Sequence, residues 1–228
     1  MKWVVILIVV ILVGAVGTYW YDGYSAESAL LEKPVYRVLK KHEPEVFDGL
    51  VAEYKSFVRD ETRREDFINH ANAAISLAAT HDIAHASQPA VLALMKDMVS
   101  TARTLQKQPG DACFRYWFPQ VLGPPDVAKL IDPLAQAHTL ELMGDVIRSS
   151  AESPSPLPPA DSVKDNLAKV INATYDQYGS DAQMIAHAEE PNIDRAKVCA
   201  ITLSVYDRIM SLPPAEASEL IRSMTQLR

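Results

Sequence analysis

Apolar positions recur along most of the chain at spacings of three and four rather than two, the period of a helix face. Phe47, Leu50, Val51, Tyr54 and Phe57 form one stripe. Val91, Leu94, Met95, Met98, Ala102 and Leu105 form a second, entered through Ser87 as N-cap with Pro89 in the first turn. Val163, Leu167, Val170, Ile171, Thr174 and Tyr178 form a third, opened by Asp161 and closed by Gly179, which suits the residue after a helix. Val198, Ile201, Val205, Ile209 and Leu212 form a fourth, stopped by Pro213 and Pro214. No strand, hairpin or internal repeat is signalled. The pattern predicts an all-α fold, with helical stretches near 27–42, 44–60, 63–86, 88–107, 112–119, 124–150, 161–178, 181–188, 192–211 and 213–226, or about eight helices of substantial length.

Prolines mark most of the joints, and several fall where a first helical turn tolerates the missing N–H. Pro133 lies inside the stretch 124–150 and should kink or split it. The sharpest shift in composition is ESPSPLPPA at Glu152–Ala160, with four prolines and two serines, which reads as an extended linker or surface loop. Four segments follow: 1–24, a helical part at 25–150, a proline-rich linker at 151–160, and a helical part at 161–228. The last is small for an independent core, so one all-α domain with a long loop is expected.

The segment 1–24 departs from the amphipathic pattern. From Trp3 to Tyr21 no side chain is charged. As a helix this run would reach roughly 28 Å, close to the hydrocarbon thickness of a bilayer. Trp3 stands at one end and Tyr19, Trp20 and Tyr21 at the other, the aromatic belt of a retained transmembrane helix. Lys2 and the α-amino group place positive charge before it, and Asp22 and Glu27 negative charge after it, so the remainder is expected outside the cytoplasmic membrane, which in a bacterium is the periplasm. A signal peptide cut before Thr18, with Ala15 and Gly17 at −3 and −1, is the alternative, and it exports the chain equally.

Composition narrows the partners. The net charge is −7; without Lys2 there are 21 basic and 29 acidic residues, about −8. Such a domain gains nothing from a phosphate backbone, so no nucleic acid partner is expected. Two cysteines, Cys113 and Cys199, lie in the exported part, where a disulfide is expected over two buried free thiols.

Leu77–Ala86 reads LAATHDIAHA. With His81, Asp82 and His85 it resembles the central motif of the HD-domain phosphohydrolases over about ten residues. The resemblance implies an all-helical enzyme whose His-Asp pair holds a metal that activates water. The family also needs an upstream His and a downstream Asp. His42 is far and His70 near, Asp132 and Asp145 lack a motif, and Ala84 replaces the usual Gly. Placed four apart on one helix, His81 and His85 would share a face, which serves a metal or equally a solvated helix end.

Arg115, Tyr116, Trp117 and Phe118 follow Cys113 and Phe114 in the densest aromatic cluster beyond the anchor. Such residues dominate interface hot spots, and they equally fill cores, so the cluster is either a plug pinned by the disulfide or a partner-binding patch. His138, after Ile131 and Leu134, reads as a core histidine. Asn172-Ala173-Thr174 is a glycosylation sequon inside a predicted helix, and Glu189-Glu190 a solvated acidic loop. There is no phosphate loop, GxSxG, HExxH or CxxC, so no cofactor and no metal are called for. What remains is an outward-facing, membrane-anchored helical protein that binds a basic protein in the envelope, such as an immunity-type inhibitor of a toxin. The alternative is a metal-dependent hydrolase of the HD type. A structural subunit of an envelope assembly is a third reading; Gly14 and Gly17 are three apart, not the four of a GxxxG helix dimer.

Overall fold

The computed structural model describes residues 26–58 and 64–225. Among these residues the chain is helical, without a strand. The expected anchor at 1–24, with Trp3, Tyr19, Trp20 and Tyr21, lies outside the described residues. No helix among the described residues is long and apolar enough to cross a membrane. The helices are α1 (26–31), α2 (Pro34–His42), α3 (Pro44–Val58), α4 (Arg64–Asp82), α5 (Gln88–Gln106), α6 (Ala112–Trp117), α7 (Pro119–Leu122), α8 (Val127–Leu130), α9 (Pro133–Glu152), α10 (Ala160–Tyr178), α11 (Arg195–Met210) and α12 (Pro214–Met224). Two 3-10 segments, Ile83–His85 and Gly179–His187, complete them.

The helices are more numerous and shorter than the periodicity suggests, because prolines and a tight turn divide three stretches. The stretch 27–42 breaks before Pro34, the stretch 112–119 before Pro119, and 124–150 before Pro133. Asp132 caps α9 by accepting from the N–H groups of Leu134 and Ala135. Gly179 ends α10 at φ +59°, a left-handed conformation that favours glycine. Ser87 precedes α5 without a side-chain cap bond, and α10 begins at Ala160, ahead of Asp161.

Two compact units divide between Ala78 and Ala79, within α4. In the first, α2 packs on α3, burying Val35, Leu39, Phe47 and Leu50. Phe67 of α4 lies against the rings of Tyr54 and Phe57, at centroid distances of 5.2 and 5.9 Å. Aromatic pairs at this spacing add to plain area burial. His70 Nδ1 and Glu53 Oε2 share a hydrogen bond on the surface of this unit.

In the second unit, α5 is the central element. It buries Val91, Leu94, Met95, Val99, Ala102 and Leu105, and α6, α9, α11 and α12 all pack on it. Its inward stripe takes Val99 where Met98 was expected. From α11 come Val198, Ile201 and Ile209, and from α12 Leu220 and Ile221. Because α9 precedes the proline-rich loop while α11 and α12 follow it, one core is shared across that loop. The buried face of α9 is Gly144, Val146, Ile147 and Ser150. The N-terminal half of α9 is the opposite: Leu134 is 81 % exposed and His138 is exposed, which corrects its reading as a core histidine.

Candidate protein-binding site

Cys113 of α6 and Cys199 of α11 are joined by a disulfide, with Cα atoms 5.9 Å apart and both residues buried. The bond fixes the short α6 against α11, and the aromatic cluster inherits its placement from that clamp. Phe114 points inward with Ala188 and Val198, and Phe118, Val121, Met184 and Ile193 pack around this small core. The rings of Phe114 and Phe118 stack at 5.1 Å. The Arg195 guanidinium lies 5.8 Å from the centroid of Phe114 and pairs with Asp111 at 2.8 Å.

The four residues expected as a patch do not act together. Arg115 donates from Nε to the Gly123 carbonyl at 3.0 Å and from Nη2 to the Pro124 carbonyl at 2.7 Å, holding the turn before α8. Gly123 allows that turn with φ +73°. Tyr116 lies among α5 and α6 groups, and burial, reinforced by the nearby Asp97 carboxylate, pushes its phenol pKa up. Trp117 stacks on Tyr206 of α11 with centroids 4.5 Å apart, and its buried Nε1 has no hydrogen-bond partner among the described residues. All four are half-buried: Arg115, Tyr116 and Trp117 have the partners just given, and Phe118 packs on Phe114 while also lining a groove.

Phe118 leads to the feature the sequence did not reveal. An open groove of about 450 Å³ runs between Phe118 and Gln120 on one side and Ile185, His187, Glu190 and Pro191 on the other. Phe118, Ile185 and Pro191 give it apolar lining. Glu189 and Glu190 are exposed beside it, and Glu190 also faces His187 Nδ1 at 3.2 Å. The segment reads as a helix at 181–188 from its spacing. It is a 3-10 segment ending at His187, followed by a turn in which Ala188 is buried and the two glutamates are exposed.

The His-Asp motif is placed elsewhere. The α-helix ends at Asp82 and winds on as the 3-10 turn Ile83–His85, so His81 and His85 do not share an α-helical face, a correction to their expected i,i+4 placement. The His81 side chain is 87 % exposed, with Nδ1 3.5 Å from Asp82 Oδ1. That same carboxylate oxygen accepts from Ser150 Oγ at 3.3 Å. His85 Nδ1 lies 3.1 Å from the Ser155 carbonyl, to which it donates, and the Ser155 N–H donates back to the His85 carbonyl at 2.8 Å. The motif thus holds the proline-rich loop. Among the described residues no three His, Cys, Asp or Glu side chains are grouped to hold a metal ion. Asn172 of the sequon is exposed on α10, while Thr174 is buried and its hydroxyl donates to the Val170 carbonyl.

Compared with protein-family models, with curated proteins and with solved structures, the chain matches none.

Proposed function

We propose that this chain is a membrane-anchored, outward-facing helical protein that binds another protein, with the groove beside Phe118 as its contact surface. The observation that supports it is the pairing of an apolar lining, Phe118, Ile185 and Pro191, with two exposed glutamates on a chain of net charge −7. Apolar anchors supply binding energy when buried, and the acidic edge steers a basic partner and rejects an acidic one. An immunity-type inhibitor that covers a basic toxin in the envelope is a concrete form of this activity. The anchor is the run from Trp3 to Tyr21, and the disulfide suits an oxidising compartment.

The test is capture from an envelope extract by the wild type and by Phe118→Ala and Glu189→Lys/Glu190→Lys variants. A basic protein should be retained by the wild type, be released by added salt, and be lost with either variant. Equal retention by all three would remove the groove from the function. Protease added outside intact cells or spheroplasts should cleave the chain beyond residue 25; complete protection would overturn the outward orientation.

A further inference from the structure

We infer that the loop between α9 and α10 is a preformed polyproline-II ligand, presented to an aromatic-lined groove on another protein. This inference goes beyond the contact surface at Phe118, lies on different residues, and needs nothing from it.

Residues 153–159 read Ser-Pro-Ser-Pro-Leu-Pro-Pro. Each proline fixes its own φ near −65°, and each residue before a proline is driven by steric clash into the extended region. Ser153, Ser155, Leu157 and Pro158 all precede prolines, so every residue from 153 to 159 is constrained one way or the other. At its start Ser153, which ends α9, lies outside this region at φ −150° and ψ 68°; at the end of the run Pro159 has φ −62° and ψ 129°, close to polyproline II, and no described peptide bond is cis.

The two half-buried residues of the run are one three-residue turn of that helix apart. Ser155 and Pro158, three apart, are half-buried, whereas Pro154, Pro156, Leu157 and Pro159 are exposed. One edge therefore faces the protein. The other two carry Pro156 with Pro159, and Pro154 with Leu157, which is 51 % exposed.

The inner edge is tied down. Ser155 and His85 exchange two hydrogen bonds, and Arg222 Nη2 donates to the Pro156 carbonyl. Arg222 is itself buried and held by the Ala84 carbonyl at 2.8 Å. Two of the run's carbonyls and one of its few N–H groups are thus used inward, and the apolar rings are left outward. Aromatic-lined grooves read this arrangement, apolar groups at i and i+3 on an extended ridge that carries few donors. Since folding has already ordered the ridge, binding it loses little further conformational entropy. A spacer would need the stiffness but not the outward leucine set between proline rings.

The experiment uses the full chain in detergent or nanodiscs and, as probes, a panel of purified SH3, WW and EVH1 domains, whose grooves are aromatic-lined. The Leu157→Ser/Pro159→Ala variant alters two exposed side chains and leaves Ser155, Pro156 and their bonds intact; an unchanged thermal melt confirms that it folds. At least one domain should bind the wild type and bind this variant roughly tenfold more weakly. Glu189→Lys/Glu190→Lys should bind the panel as the wild type does, so failure here and failure of the Phe118 groove are separate results. If no domain binds, or if wild type and loop variant bind equally, the inference is overturned.

Discussion

Arg222 donates from Nε to the carbonyl oxygen of Ala84 at 2.8 Å, across 138 positions of sequence. The same side chain donates to the carbonyl of Pro156, so one guanidinium of α12 joins the turn after α4 to the proline-rich loop. Burial lowers its pKa from the ordinary guanidinium value. Arg222→Ala leaves both carbonyls without this donor and should lower stability by about 2–3 kcal/mol, with an unchanged denaturant slope in urea unfolding. Arg222→Lys should restore less than half, because a single ammonium does not reproduce the planar fork.

The disulfide closes a separation of 86 residues. In the chain-entropy account a loop of that length contributes about 4–5 kcal/mol. Cys113→Ala/Cys199→Ala should unfold at correspondingly lower denaturant, and the α6 aromatic cluster should loosen first. Hydrogen exchange at Phe114–Phe118 would register this, and exchange unchanged from the wild type would show that packing alone positions α6.

Tyr116 gives an alkaline signature. Its folded pKa is raised by burial and by Asp97, above the value near 10 of an unfolded tyrosine. The sign follows from linkage. Below about pH 10 both states are protonated and stability is unaffected; above it the unfolded state loses the proton first, so stability falls as pH rises. Tyr116→Phe should flatten that decline in denaturation curves taken between pH 8 and pH 11. An unaltered slope would place the titration elsewhere.

His81 and His85 should separate sharply on substitution. His81 is exposed, and His81→Ala should leave the melting temperature within about 2 °C, because surface substitutions stay within about 0.5 kcal/mol. His85→Ala removes the bond to the Ser155 carbonyl and should lower stability by about 1 kcal/mol. Neither protein should gain stability on adding zinc or manganese. A metal-dependent rise in melting temperature that His81→Ala abolishes would restore the hydrolase reading.

Trp117→Ala should cost roughly 3–5 kcal/mol, since it empties the space against Tyr206. Loss of partner binding in that variant would therefore report unfolding. Phe118→Ala removes a half-buried ring that stacks on Phe114 and lines the groove; it should lower the melt less than Trp117→Ala and retain the fold, which makes it the variant that tests binding, and a melt lowered as far as that of Trp117→Ala would show its ring to serve packing first.

Much of the fold was legible because helix periodicity is a local property. The stripes at Phe47–Phe57, Val91–Leu105 and Val198–Ile209 all became packed helix faces. Where the reading failed, the cause was geometric. The step from α-helix to 3-10 turn at Ile83 changes which face each following residue occupies, and nothing in the spacing of His81 and His85 announces it. Leu134 and His138 continue an apolar pattern onto a half of α9 that the core does not reach.

By itself the sequence determined the all-α class, the proline joints and the non-helical run that follows Ser153, because each follows from neighbouring backbone sterics or periodicity; the bond between its two cysteines was an expectation that the structure shows. Tertiary structure decided what those elements serve. It supplied Arg115, Tyr116 and Trp117 with partners inside the unit and set Phe118, stacked on Phe114, beside an acidic-edged groove. It also made the His-Asp motif and Arg222 the anchors of the proline-rich loop. The anchoring of that loop depends on residues 66 to 138 positions apart meeting in space, and a linear pattern carries no record of such distances.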